Sequence, residues 1–333
     1  PSTLKRVKTL DQSRSEWMIS TSSSIKAITM KILFAGTPNN AAETLRQLAE
    51  GGYDVIAALT REDAPSGRNR ELKASPVAIT ADELGIPVVK ANRVSEDLLI
   101  EISKFKVDIG VVVAYGLIMP PELLAVPRLG WFNLHYSLLP KYRGASPVQS
   151  ALLNGDRETG VSLFKLDSGM DTGDLVGTVQ TSIEPDENSA ELLQRLTQLG
   201  TSLLLQELPR LFSETAKLTP QTGSASFARK IVRDQARIDF ALPASVAANL
   251  VRAMNPDPMA WFVYEGTPIR LIRAREIANT ENLEPKQLSV GQEVVLGFAE
   301  SSALQLIEVQ PQGKRVMSAG DWVRGLRTIG DVS

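Results

Sequence analysis

Residues 31–60, KILFAGTPNNAAETLRQLAEGGYDVIAALT, read as strand, turn, helix and strand. Residues 31–35 form an apolar run of strand length, Gly36-Thr37-Pro38 is a turn, and residues 41–50 carry apolar positions at helical spacing before Gly51-Gly52 stops them. Residues 53–60 are a second strand. A buried strand, a helix and another buried strand make a βαβ unit, whose strands lie parallel with both faces covered. The rhythm continues through a strand over 87–90, a helix over 95–105 and a valine-rich strand over 107–114. The expected fold class is α/β, with an open, mostly parallel, Rossmann-like sheet. Such sheets place ligands in a crevice at the carboxyl ends of their strands.

Residues 131–147, WFNLHYSLLPKYRGASP, put chemistry at such an end. The run 131–135 alternates like a strand, so Asn133 and His135 project to one side while Phe132 and Leu134 point to the other. His135 is the sole histidine in 333 residues. A lone histidine is more often structural than catalytic, but the irregular loop after this strand gives it a site-like address. A second polar constellation lies at 167–174, DSGMDTGD, between two apolar runs. Any of its three carboxylates, Asp167, Asp171 or Asp174, has the chemistry to orient an imidazole.

Composition narrows the possibilities. Without cysteine there is no disulfide and no thiolate nucleophile, and with one histidine the usual zinc ligand sets cannot be assembled, so no metal is expected. No apolar run is long enough for a membrane span, and a cytoplasmic protein is expected. Net charge is −2, with a slight basic excess in residues 217–333 that favours that part for a phosphate backbone. Residues 1–29 are Ser-rich and lack apolar periodicity, and are expected to be a flexible or non-native extension. The length suggests two domains.

FNLHYSLLPKYRGASP, SGMDTGD and FAGTP together resemble the folate-dependent formyltransferases, and most of all the branch that acts on methionyl-tRNA. The similarity runs over about residues 30 to 330. It implies a catalytic set of Asn133, His135 and Asp171, contact with the folate from Ser137, Leu138, Leu139 and Pro140, and a pterin site against the backbone of Tyr115, Gly116 and Leu117. It further implies that 10-formyltetrahydrofolate is the co-substrate, that initiator methionyl-tRNA is the partner, and that the long polar loop over 61–76 reaches the tRNA. In that loop Gly67-Arg68 matches the family's pattern, which makes Arg68 the first expected RNA contact, with Arg70 and Lys73 behind it. Asn69 and Glu71 depart from the pattern. ARIDFAL at 236–242 and RAMNPDPMAWF at 252–262 resemble the family's C-terminal domain.

The domain reading is then an extension over 1–29, a catalytic domain over 30–216 containing an amphipathic helix over 188–212, and a linker over 217–235. An OB-like, tRNA-binding β-barrel over 236–333 completes it. A monomer is expected. The chemistry implied is direct attack of an amine on the formyl carbon, with Asn133 and a protonated His135 donating to the oxyanion and Asp171 holding the imidazole. Three rivals stand beside it: transfer to another amine, such as a sugar nucleotide or glycinamide ribonucleotide; hydrolysis of the formyl-folate; and a non-catalytic RNA-binding protein. The two C-terminal segments and the Arg68 loop speak against the first, and the intact Asn, His and Asp set against the last.

Overall fold

The computed structural model describes residues 30–66, 70–326 and 332. The expected extension over 1–29, Arg68, and the loop tip around it lie outside the described residues.

The first part of the chain runs β1 (Lys31–Gly36), α1 (Asn39–Glu50), β2 (Asp54–Thr60), β3 (Ala64–Ser66), β4 (Glu71–Lys73), α2 (Pro76–Glu83), β5 (Val88–Lys90), α3 (Glu96–Ser103) and β6 (Ile109–Val113). It continues with α4 (Pro121–Leu124), β7 (Trp131–His135), β8 (Arg143–Gly144), α5 (Pro147–Leu153), β9 (Glu158–Lys165), β10 (Leu175–Ser182) and α6 (Ser189–Phe212). Seven of these strands form one sheet in the order β5-β2-β1-β6-β7-β9-β10. The first five are parallel, as the apolar strands imply, and β9 and β10 close the edge antiparallel. Strand alternation divides the core in two. Ile32 and Phe34 pack on one face with Leu134 and α6, while Leu33 and Ala35 pack on the other with Trp131 and α3.

Between β1 and β6 the winding reverses, so the connections leaving their carboxyl ends diverge and leave a crevice. Gly36 keeps the first turn tight there, since a Cβ would fall 2.7 Å from the Ala41 Cβ and 2.8 Å from the Val113 carbonyl. Helix α6 begins in a capping box, with Asn188 Oδ1 accepting from the N–H groups of Ala190 and Glu191 and Glu191 returning the bond to Asn188. Leu192, Leu196, Leu203 and Leu204 of its stripe are buried against the sheet.

The second part comprises β11 (Phe227–Ala228), a 3-10 turn (Arg233–Ala236), α7 (Ala244–Met254), β12 (Ala260–Tyr264), β13 (Thr267–Ala278), β14 (Leu288–Val290), β15 (Val294–Phe298), β16 (Ser302–Pro311), β17 (Met317–Ser318) and α8 (Ala319–Arg324). Its antiparallel sheet has the order β12-β13-β16-β15-β14, with β17 against β16. That is the partly open form of an OB-like barrel, smaller than the first domain. Phe240, Phe262, Tyr264 and Trp322 meet edge-on in its core, with ring centroids 5.2 to 6.3 Å apart. Helix α7 is not evident from the strand pattern; it turns Ala247, Val251 and Met254 into this core. The halves join where α5 packs on α7, with Leu153 touching both cores and Ser189 Oγ donating to the Asn255 carbonyl at 2.7 Å. Among the described residues no helix is long and apolar enough to cross a membrane.

Candidate active site

Strand β7 supplies two of the expected groups. Paired with β6 on one side and β9 on the other, it presents Asn133 and His135 on the face opposite Phe132 and Leu134. Neither end of the Asn133 carboxamide has a hydrogen-bond partner among the described residues, and its Oδ1 is buried. An orphaned buried amide oxygen costs roughly 1–3 kcal/mol, a penalty that a bound ligand relieves. The carboxamide is thus held ready and uncommitted.

His135 is buried, edge-on to Phe164 with ring centroids 6.4 Å apart. Its Nε2 lies 2.8 Å from the Tyr142 carbonyl, which fixes the proton there as donor and leaves the Nδ1 lone pair open. Nδ1 is 3.7 Å from Asp171 Oδ2, an ion-pair separation too long for a hydrogen bond. Burial pushes the imidazole below its ordinary value, and the Asp171 charge and the Tyr142 carbonyl oppose that without reversing it. The resting ring is therefore neutral. This differs from the expected imidazolium because desolvation outweighs a carboxylate that stands off at 3.7 Å.

Asp171 reaches this position from a loop. Its backbone is left-handed, with φ +53°, and its Oδ2 accepts from the Gly144 N–H at 2.7 Å. Gly144 has φ +117°, and a Cβ there would meet the Ala228 carbonyl at 2.7 Å, so only glycine brings this N–H to the carboxylate. Asp167 instead shapes the loop tip, accepting from the Gly169 N–H and the Thr172 hydroxyl. Of the three carboxylates that the sequence left open, Asp171 alone brings an oxygen within 4 Å of the histidine ring.

The other expected residues divide. Ser137, Leu139 and Pro140 are buried in a turn held from β9, where Ser162 Oγ donates to the Ser137 carbonyl and accepts from the Leu139 N–H. Only Leu138 offers open side-chain surface, and it lines a cavity of about 590 Å³ with Lys141, Tyr142 and Arg157. None of Asn133, His135 and Asp171 lines that cavity. At the end of β6, Ala114 at φ +47° and Gly116 at φ +83° turn the chain into the crevice. The Tyr115 ring is buried in the core, where desolvation raises its hydroxyl to about 12, so this residue faces the crevice with backbone only. Its carbonyl accepts from Thr37 Oγ1 and that of Gly116 from Arg61. Arg70 and Lys73 are exposed, and within the long polar loop β3 and β4 pair antiparallel.

The segment expected as a linker crosses the site as a strap. Phe227 and Ala228 pair with Arg143 and Gly144, Thr219 bridges to Leu175, and Ser226 Oγ accepts from the Tyr142 N–H. Gln221 on it bonds to both Arg143 and the Asp171 loop. Arg229, Lys230 and Arg233 follow at once, exposed and without an ion pair among the described residues. Ser162 and Gln221 carry no local signal in the sequence, whereas the basic run does, with three cations within five residues.

Comparison with known proteins reaches the same fold. Residues 30–208 match the family model described as formyl transferase, and residues 230–327 match that of the formyl transferase C-terminal domain. The methionyl-tRNA formyltransferase of Renibacterium salmoninarum is 42% identical over 300 residues, covering 90% of this chain and 98% of that relative. That of Mycobacteroides abscessus is 42% identical over 305 residues, covering 91% and 99%. Among solved structures, an N-formyltransferase from Helicobacter canadensis in complex with folinic acid and dTDP-3-aminofucose superposes with a TM-score of 0.65 at 19% identity, over 83% of this chain and 98% of that one. HypX from Aquifex aeolicus in complex with tetrahydrofolic acid does so at 0.62 and 16%, over 92% and 51%.

Proposed function

The chain belongs to the formyl transferase family, in its methionyl-tRNA branch, and on that premise we propose how its residues act and on what. The reaction is transfer of the formyl group of 10-formyltetrahydrofolate to the free amine of initiator methionyl-tRNA. The observation that carries the catalytic assignment is the convergence of an unpartnered Asn133 amide with a buried neutral His135 backed by Asp171.

The amine attacks the formyl carbon and a carbon–nitrogen bond forms. Asn133 donates an N–H to the oxyanion of the tetrahedral intermediate. The proton shed by the new ammonium goes to His135 Nδ1, and the imidazolium lies between the Tyr142 carbonyl and the Asp171 carboxylate, two acceptors already in place. On collapse the bond to N10 breaks, and that nitrogen takes the proton from His135. No covalent enzyme intermediate is required. The pterin lies against the remaining main-chain groups of residues 115–117.

Arg68, Arg70 and Lys73 of the 61–76 segment, and Arg229, Lys230 and Arg233 leaving the strap, contact the tRNA as phosphate partners. The C-terminal domain's sequence carries no ordered series of aromatic residues for base stacking, which fits a backbone-directed interface.

Formyl transfer from 10-formyltetrahydrofolate, measured side by side on methionyl initiator and methionyl elongator tRNA, tests the reading with wild type and His135→Ala. Transfer to the initiator alone, abolished in the variant, supports it. Transfer to neither tRNA, with formyl-folate hydrolysis that still needs His135, contradicts the assigned acceptor and keeps the site.

A further inference from the structure

Gln221 lies 50 residues from Asp171 in sequence, on the strap. Its Nε2 donates to the carbonyls of Asp171 and Gly173 at 2.9 and 2.8 Å. Its Oε1 accepts from Arg143 Nη2 at 2.6 Å and from Arg143 Nε at 3.2 Å. The side chain thus spends both donors and its acceptor on two segments that do not otherwise share a strand ladder.

Those two segments are the ones that locate the Asp171 carboxylate. One is the residue's own backbone, left-handed at φ +53°, a conformation that costs a non-glycine residue about 1–2 kcal/mol and must be imposed from outside. The bonds within the loop, Gly169 N–H and Thr172 hydroxyl to Asp167, stop short of the Asp171 carbonyl. The other is Gly144, whose N–H holds Asp171 Oδ2 and whose preceding residue is the Arg143 that Gln221 anchors. One carboxamide therefore fixes both the root and the tip of the same side chain.

We propose that Gln221 is a positioning residue that sets the distance between Asp171 and His135, making the strap between the two domains a working part of the active site. The proposal rests on the catalytic reading of Asp171 given above. It makes a prediction that a general role in stability does not. Loss of Gln221 lets the carboxylate drift from Nδ1, and His135 loses the charge that favours its proton. Among the described residues Asp171 is the one carboxylate within 4 Å of that ring, so the histidine itself reports the drift.

Because His135 is the only histidine, full-length, tag-free protein labelled with isotopic histidine gives a single imidazole titration by NMR. Two variants divide the contacts. Gln221→Met keeps length and removes every polar atom; Gln221→Glu keeps the Arg143 contact and turns the donor into an acceptor facing two carbonyls. The expected result in both is an imidazole titration moved to lower pH. It is joined by a kcat for formyl transfer reduced between about ten- and a hundred-fold, the scale of a catalytic group displaced by an ångström. KM for 10-formyltetrahydrofolate and the melting temperature stay near wild type.

An unchanged His135 titration in both variants overturns the proposal, even where kcat falls together with the melting temperature, since that is the signature of a brace and no more. Asp171→Asn, measured alongside, separates the two levels. If Asp171→Asn loses turnover and shifts the titration while Gln221→Met does neither, the positioning role fails and the catalytic reading stands. If Asp171→Asn itself leaves both unchanged, the catalytic reading fails and takes the proposal with it.

Discussion

The two halves of the site are held by different means. Asn133 and His135 ride on β7, a five-residue strand with a neighbour on each side and cores on both faces, so the ladder and the alternation of side chains fix their placement. Asp171 rides on residues 167–174, where Met170 is 59% exposed and Asp171 itself is anchored by one bond each to Gly144 and Gln221, 27 and 50 residues away. The strand half is rigid because it is part of the sheet. The loop half is accurate only while distant partners hold it. Substitutions on β7 should therefore divide cleanly between chemistry and stability, whereas those around the loop should alter geometry.

Asn133→Ala is the sharpest test of that division. It should lower kcat by about 10²–10³-fold, as removal of an oxyanion donor does. Stability in a urea melt should be unchanged or raised, because the amide has no partner to lose. Leu134→Ala, one residue along and on the opposite face, should do the reverse. A cost of about 2–5 kcal/mol is expected for emptying a buried leucine site, with turnover per folded molecule retained. A large kcat loss in Leu134→Ala would show that the two faces of β7 are not independent.

Gly144→Ala probes the loop half. With φ +117° and the Ala228 carbonyl 2.7 Å from the new Cβ, it should cost about 1–3 kcal/mol and also reduce turnover by shifting the N–H that holds Asp171. The smallest effect expected is on the pH dependence of stability. His135 is held below the ordinary imidazole value of 6.5, so as pH falls past about 6.5 the unfolded chain binds a proton that the folded chain refuses. Stability present above that pH should decline as pH falls toward the lowered value, and His135→Gln should remove that part of the slope in melts taken from pH 8 to 5.

The same contrast explains what could be seen in the sequence. Continuous apolar runs of strand length exposed β1 and β6, and period-two alternation exposed β7 and put Asn133 and His135 on one face, because a strand's local pattern is its three-dimensional pattern. The leucine spacing exposed α6 for the same reason. Local pattern left the choice between Asp167, Asp171 and Asp174 open, since that is decided by which carboxylate meets the Gly144 N–H. Gln221 and Ser162 left no trace, because each acts through contacts 23 to 78 residues away in a segment with no periodicity of its own or inside an ordinary strand. The neutral state of His135 was likewise hidden, because burial rather than the identity of its neighbour sets it.

The central claim is that a neutral His135, supported by Asp171, takes the proton of the attacking amine. The pH–rate profile of kcat/KM, laid over the NMR titration of the single histidine in the free protein, tests it most directly. The account predicts an acid limb that coincides with the His135 titration, lies below 6.5, and moves further to low pH in Asp171→Asn. Full turnover at a pH where His135 is protonated would contradict it.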